Sequence, residues 1–117
     1  MRAGIVSIAM CLMLAGCPAP GEGRNFEHAR AEAEPVLRAI EAYQRVHKAY
    51  PRTLEQLVPE FLAQDALNGH APGAFVGFDY RSDTPYVYRF ALRYSGPGIN
   101  TCVRDESNAQ WECNGHY

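Results

Sequence analysis

The spacing of the apolar residues changes once along this chain, and that change limits the folds that it can adopt. Between Asn25 and Tyr50 apolar side chains recur at three- and four-residue steps, the spacing of one face of an α-helix. They are Phe26, Ala29, Ala33, Val36, Leu37, Ile40, Tyr43, Val46 and Tyr50. From Phe75 onward the period is two, as in a half-buried β-strand. A helix followed by strands predicts an α+β fold in which the helix covers one face of a sheet.

Three residues set the expected limits of the long amphipathic helix. Asn25 can cap its first turn, and Pro51 ends it. Pro35 has no N–H, and its ring opposes the carbonyl of the residue four positions earlier. We therefore expect either a kink at Pro35 or a frayed first segment followed by a well-formed helix over residues 36–49.

A short segment rich in leucine and proline follows the helix. Thr53 and Gln56 have the spacing of a capping box, which predicts a single short helical turn ended by Pro59. We expect the apolar residues of this segment to fold back on the long helix: Leu54, Leu57, Phe61 and Leu62. Residues 63–74 contain Asn-Gly and Pro-Gly pairs and predict a loop.

The remaining residues predict a roughly four-stranded antiparallel sheet. The clearest strand covers residues 86–94, and its aromatic and apolar side chains share one face: Tyr86, Tyr88, Phe90, Leu92 and Tyr94. A turn over residues 81–85 joins it to an earlier strand over residues 75–80. A second turn over residues 95–98 leads to a hairpin of residues 99–104 and 110–113. We expect the aromatic face to pack against the apolar stripe of the helix.

The first seventeen residues have the composition of an export signal. Arg2 supplies a positive charge, and residues 3–15 are almost wholly apolar. As a helix these residues would rise only about 20 Å, too little for a hydrocarbon core of roughly 30 Å. They therefore predict a signal peptide rather than a membrane span. An ordinary signal peptide that ends in a chance cysteine is the alternative to the more specific interpretation that follows.

Leu14, Ala15, Gly16 and Cys17 resemble the lipobox of bacterial lipoproteins. The resemblance implies that residues 1–16 are removed and that Cys17 becomes an acylated N-terminus, which is the expected contact with the membrane. Enterobacterial lipoproteins with Asp after this cysteine stay at the inner membrane, so Pro18 implies delivery to the outer membrane, facing the periplasm. The formal net charge of −2 and the pI of about 6.0 argue against a nucleic-acid partner.

Export also changes what the cysteines can do. Cys11 is lost with the signal and Cys17 is committed to lipid, which leaves Cys102 and Cys113 in an oxidising compartment. Residues 105–108 between them predict a turn, and pairing of the flanking strands would place the two cysteines opposite each other. We expect a disulfide worth about 3 kcal/mol in the chain-entropy model. A zinc site is the alternative, but the sequence has neither a CxxC pair nor a nearby pair of histidines.

The middle of the chain resembles the globular part of type IV pilins, and most closely the pseudopilins of type II secretion. The resemblance lies in Ile40-Glu41-Ala42-Tyr43-Gln44 and in Tyr50-Pro51 followed by Thr53-Leu54-Glu55-Gln56-Leu57-Val58-Pro59. It implies a long helix packed on an antiparallel sheet. A lipobox replaces the prepilin cleavage site and the long apolar helix that drives filament assembly, so assembly is not expected. The predicted divisions are a signal peptide (1–16), a lipidated cysteine with its tether (17–24) and a pilin-like domain (25–117).

Motifs that would indicate catalysis are missing from the sequence. There is no G-x-S-x-G, no S-x-x-K, no Walker loop and no G-x-G-x-x-G. His28 and Glu32 are spaced for a pair on one helix face, either solvated or holding a metal, and we expect the solvated pair. The acidic run at residues 105–108 predicts a plain turn rather than a calcium loop. We therefore expect neither an enzyme nor a cofactor nor a metal, with a hydrolase site formed only in three dimensions as the remote alternative.

Aromatic and arginine side chains give the expected binding residues, because these residue types dominate binding hot spots and stack on sugars. The candidates are Trp111, Tyr50, Tyr117 and Arg104. Most of the aromatic residues are expected to be core. The sequence thus predicts a non-enzymatic structural or protein-binding module of the cell envelope, whose partner is an envelope protein. The alternative is an inhibitor or binder of a periplasmic enzyme, or of peptidoglycan or another glycan.

Overall fold

The computed structural model describes residues 19–70, 75–96 and 98–116, and for His116 the backbone only. It contains one α-helix, two short 3₁₀ turns and four strands: α1 (Gly23–His47), Leu54–Leu57, Gln64–Ala66, β1 (Val76–Thr84), β2 (Val87–Ser95), β3 (Ile99–Asp105) and β4 (Asn108–His116). The strands form one antiparallel sheet in the order β1-β2-β3-β4. The predicted α+β fold, with one long helix and a four-stranded sheet, is confirmed.

Helix α1 is regular on both sides of Pro35. Of the two alternatives at Pro35, the frayed first segment is wrong, because the buried residues that flank Pro35 (Ala33, Val36 and Leu37) hold this part of the helix to the core. The helix begins at Gly23, two residues before the expected start, and ends at His47.

Two expected details at the ends of α1 differ in the structure. Asn25 lies inside the first turn and does not cap it; its side-chain amide donates instead to the carbonyl of Gly96, at 3.1 Å. Lys48 follows the helix with φ +60° and donates its N–H to the carbonyl of Gln44. That left-handed residue ends the helix before Pro51 is reached.

The apolar stripe of α1 is buried as expected, except at its end. Val46 is 61% exposed, although it continues the sequence of three-residue steps. Each such step rotates by about 60° away from the stripe in a helix of 3.6 residues per turn, and two follow Ile40 in succession. His47, four residues after Tyr43, is the residue that continues the apolar stripe, and its ring packs against Tyr43 and Phe61.

The segment after the helix folds back as predicted, with a different hydrogen bond at its start. Leu57 and Leu62 are buried in the core, and Leu54 and Phe61 are half-buried against it. Thr53 makes no side-chain cap, and the oxygen of the Gln56 side chain accepts from the backbone N–H of Arg52 at 2.7 Å. The capping box is therefore wrong, although Gln56 does satisfy one free N–H at this helical end.

The sheet has one face against the helix and one facing outward. The helix-facing side chains include Tyr88, Phe90, Leu92 and Tyr94, all buried, as the alternation in β2 predicted. Tyr86 was expected on this face but lies in the β1–β2 turn, 75% exposed. Strand β1 extends to Thr84 because the Ser82 hydroxyl lies 2.9 Å from the carbonyl oxygen of Thr84 and 2.8 Å from that of Val87, which closes the hairpin beyond the expected turn.

The last two strands form the predicted disulfide-linked hairpin. Cys102 and Cys113 are directly opposite in the register and are bonded to each other. Both strands are longer than expected, and the turn between them is reduced to Glu106 and Ser107.

The domain has two ends, for which the names proximal and distal are used below. At the proximal end the chain enters: the N–H of Gly21 donates to the Tyr94 hydroxyl at 2.9 Å, close to Gly96 and Ile99. At the distal end, α1 finishes at His47 beside the β1–β2 and β3–β4 turns. No described helix is both long and apolar enough to cross a membrane.

Candidate functional site

The distal end holds an open cleft of about 340 Å³. It lies between the end of α1, the chain that follows the helix and the β1–β2 turn. The side chains around it are aromatic, polar and charged: Tyr43, Ala49, Tyr50, Arg52, Gln56, Ser82, Asp83, Thr84 and Pro85. Three separate segments of the sequence therefore build one concave surface.

Tyr50 and Pro51 are fastened to the sheet, and this fixes one wall of the cleft. The N–H of Tyr50 donates to the carbonyl of Pro85 at 2.8 Å, and the Tyr80 hydroxyl donates to the carbonyl of Pro51 at 2.6 Å. The Tyr50 ring packs on that of Tyr88, with 4.8 Å between the ring centroids. Pro51 itself is fully buried. The Tyr-Pro pair noted in the sequence thus acts as a structural joint that also presents Tyr50 at the rim.

The tyrosines around this joint keep their protons well above neutral pH. Burial raises the pKa of Tyr88 to about 12, and the negative charge of Glu41 contributes in the same direction. Burial also raises the pKa of Tyr80 and of Tyr50 above the ordinary tyrosine value. At physiological pH these hydroxyls are therefore neutral hydrogen-bonding groups.

The polar groups of the cleft include a hydroxyl and two charged side chains. The Ser82 hydroxyl is occupied by the two carbonyl oxygens of its own hairpin. The Arg52 and Asp83 side chains are exposed and carry opposite charges. The cleft therefore offers both signs of charge next to tyrosine rings, which suits a peptide or protein surface.

Three exposed apolar side chains lie at the same end of the domain as the cleft. Val46 on α1 is 61% exposed, and Tyr86 and Val87 in and after the β1–β2 turn are 75% and 44% exposed. Together with Tyr50 and Arg52 they are called the distal surface below. Apolar and aromatic groups with an arginine at the rim are typical of protein-binding patches.

A second groove, called the lateral groove below, runs along the side of α1 and contains Arg104, one of the residues that the sequence singled out. It has a volume of about 350 Å³ and is lined by Glu34, Leu37, Arg38, Glu41, Arg45 and Arg104. The Arg104 guanidinium lies over the ring of Trp111, 5.4 Å from its centroid. Trp111 is half-buried and packs edge-on against Phe90. One face of the indole is therefore already covered by Arg104, and its edge belongs to the core.

The structure connects three of the four candidate binding residues. Tyr50 contacts Tyr88, the charge of Arg104 acts on the Tyr88 hydroxyl, and Arg104 covers Trp111. Tyr50 lies in the distal cleft, whereas Arg104 and Trp111 lie in or beside the lateral groove. Tyr117 and Cys17, like the whole predicted signal peptide, lie outside the described residues.

One side-chain cluster was not predicted in full. His28 and Glu32 form the expected pair, with 3.0 Å between Nε2 and Oε1. The other carboxylate oxygen of Glu32 contacts Nε2 of His70, whose ring stacks on Phe78 at 4.4 Å. His70 is 38 residues away from Glu32 in a loop, so no local spacing could have indicated it. Within residues 19–70, 75–96 and 98–116 no group of three histidine, cysteine or acidic side chains is placed to hold a metal ion.

The chain matches no protein-family model, and neither the curated proteins nor the solved structures contain a significant match to it.

Proposed function

We propose that this protein is a lipoprotein of the outer membrane that faces the periplasm, with a pilin-like head that binds an envelope protein through the distal surface. The anchor is the lipid expected on Cys17. Its support is the sequence alone: a cationic start, a short apolar run and a lipobox, in that order.

The observation that carries the binding proposal is the position of the distal surface relative to the anchor. Gly21, four residues after Cys17, is hydrogen-bonded at the proximal end. Val46, Tyr86 and the cleft around Tyr50 lie at the other end of a helix of 25 residues, about 37 Å long at 1.5 Å per residue. A protein held by its proximal end would present this surface to the periplasm.

Two features of the fold support the pilin-like description. A long amphipathic helix packs on an antiparallel sheet, and the Tyr50-Pro51 pair joins the two. The chemistry of the cleft supports binding, because it places Tyr50 beside the exposed charges of Arg52 and Asp83, while the hydroxyl of Ser82 is held by its own hairpin. A pilin-like binding head held by a lipid fits a fixed component of the envelope.

Site-specific photo-cross-linking in intact cells tests the proposal. A photoreactive phenylalanine analogue replaces Tyr86 on the distal surface, and in a matched variant it replaces Glu112, which is exposed in β4 on the outer face of the sheet. We expect one adduct of defined mass from position 86 and none from position 112. An additional Arg52→Glu change should reduce that adduct. Equal adducts from both positions, or none from either, would contradict a distal binding surface.

The alternative, binding of a glycan, has its own measurement. Trp111 is the only tryptophan of the chain and reports on the lateral groove beside Arg104. A saturable shift of its fluorescence with peptidoglycan fragments, without an adduct at position 86, would favour the glycan. Our proposal expects no such shift.

A further inference from the structure

The proximal end carries two exposed apolar side chains that the distal surface does not include. Phe75 is 69% exposed and Ile99 is 60% exposed. In the register they lie on either side of Ser95, because the N–H of Ser95 donates to the carbonyl of Phe75 and Ser95 pairs with Ile99. They are thus two strand spacings apart, about 10 Å, in one row across the proximal end of the sheet.

The charges on the outer face of the sheet change in sign away from this edge. Arg93 is exposed two residues before Ser95, in a row with Thr101. The first acidic side chains of the outer face, Asp79 and Glu112, stand one row farther toward the distal end. The proximal part of this face is therefore apolar and basic.

The chain leaves this end with very little length before the expected anchor. Ala19 is two residues after Cys17, and a residue spans at most about 3.6 Å. The α-carbons of these two residues can therefore be only about 7 Å apart. A side chain at Gly115 would collide with Pro20, which places the entering chain against the last residues of β4, next to the start of β3. The entering chain lies on the helix-facing side of the sheet, and acyl chains on Cys17 would therefore enter a bilayer at the same end of the sheet as Ile99.

We propose that the proximal edge, defined by Phe75, Arg93 and Ile99, rests on the bilayer that holds the lipid of Cys17. The inference depends on the proposed lipidation and adds a fixed orientation of the head. The two apolar side chains enter the headgroup–acyl boundary, and Arg93 meets lipid phosphates. The short tether keeps the edge at high effective concentration against this surface, which favours the bilayer over a second copy of the chain. The distal surface then points away from the membrane.

Tryptophan quenching by lipids brominated on their acyl chains tests the orientation. The mature, lipidated protein is placed in vesicles of phosphatidylethanolamine and phosphatidylglycerol, with Trp111→Phe so that one new tryptophan reports. The matched variants are Ile99→Trp at the proximal edge and Tyr86→Trp at the distal end, both at exposed positions. We expect about half of the emission to be lost at position 99, and almost none at position 86, because interfacial side chains reach only about 5–10 Å into the boundary. Equal quenching at both positions, or none at position 99, would overturn the inference.

A second measurement on the unaltered chain avoids any effect of the substitutions on folding. Lipids with a photoreactive diazirine near the headgroup are activated in the same vesicles, and the labelled residues are located by mass spectrometry. Label at Phe75 or Ile99 but not at Val87 supports the inference. Label confined to the distal end, or a cross-link between two copies of the chain at Ile99, contradicts it.

Flotation with the vesicles separates the two proposals. If the protein floats and position 99 is not quenched, the anchor stands and the orientation fails. If the mature protein carries no lipid and does not float, both proposals fail together.

Discussion

Hydrogen bonds hold both ends of this domain, but only the proximal end also has a disulfide beside the entering chain. At the proximal end the entering chain packs closely on the disulfide hairpin: a side chain at Gly21 would come within 2.8 Å of the Cys113 sulfur. At the distal end the Tyr-Pro joint is held by hydrogen bonds to two backbone carbonyls, those of Pro51 and Pro85.

This difference matches the roles that we propose for the two ends. A disulfide next to a membrane anchor makes that end of the domain rigid. A rigid end fixes the orientation of the whole head relative to the lipid. An end that binds a partner gains from polar groups that stay accessible at a rim. Another polar contact at the distal end is made by Glu106 in the β3–β4 turn, whose side-chain carboxylate accepts the N–H of Tyr88 at 2.8 Å.

The largest expected effect is at the core that joins the two ends. Phe90 is fully buried, with ring centroids 5.3 Å from Phe78 and 6.1 Å from Trp111. Phe90→Ala should lower the free energy of unfolding by about 3–5 kcal/mol, through lost transfer energy and the cavity that remains. Chemical denaturation measures this, with Val46→Ala as a control at an exposed position. A loss below about 1 kcal/mol would mean that the two ends do not share one core.

The disulfide should matter next, and mainly at the proximal end. Replacing both cysteines, Cys102→Ser with Cys113→Ser, should cost about 3 kcal/mol, because the closed loop is short and its cross-link restricts the unfolded chain. Hydrogen exchange should then rise at the amide of Gly21 before it rises at that of Tyr50. Equal acceleration at both amides would remove the distinction between the ends.

High pH should affect mainly the distal end. The folded pKa values of Tyr50, Tyr80 and Tyr88 are raised above the ordinary value of 10.0. Their protonated forms are therefore favoured by folding. Stability should be constant with respect to these groups below pH 10 and should fall as the pH rises toward the folded pKa of Tyr88, about 12.

Denaturation midpoints measured from pH 9 to 12 test this. The fall should be less steep in Tyr88→Phe than in the unaltered protein, because one of the three groups no longer titrates. An identical fall in both proteins would show that Tyr88 is not part of the effect.

The smallest effect that we expect to resolve is the loss of one hydrogen bond at the distal joint. Tyr80→Phe removes the donor to the Pro51 carbonyl and should cost about 1 kcal/mol. Tyr86→Phe is the control, since the Tyr86 ring is exposed. If the two variants have the same stability, Tyr80 does not fasten the joint.

The sequence predicted those parts of the fold that depend on neighbours along the chain. The stripe of α1, the alternation of β2 and the pairing of Cys102 with Cys113 all follow from periods or from a short loop. The errors arose where a side chain found a distant or unexpected partner. Asn25 bonds Gly96 rather than capping its helix, and Gln56 bonds the N–H of Arg52 rather than that of Thr53.

The candidate site was harder to predict than the fold, because its parts come from separate segments. Tyr50 was identified from its residue type, but the cleft also needs Ser82 and Asp83 from the β1–β2 hairpin. The exposure of individual side chains was equally hard to predict. Nothing in the local sequence distinguishes Tyr86, which is exposed, from Tyr88, which is buried two residues later. Only the closing of the hairpin by Ser82 turns the first of them outward.

The roles proposed for the two ends both depend on the lipid anchor, and the mass of the mature protein tests that anchor most directly. The protein should be isolated from membranes, and its N-terminal peptide analysed by mass spectrometry. We predict that the peptide begins at Cys17 and carries a diacylglyceryl thioether. A mature chain that begins at another residue, or at a Cys17 without lipid, would contradict the account.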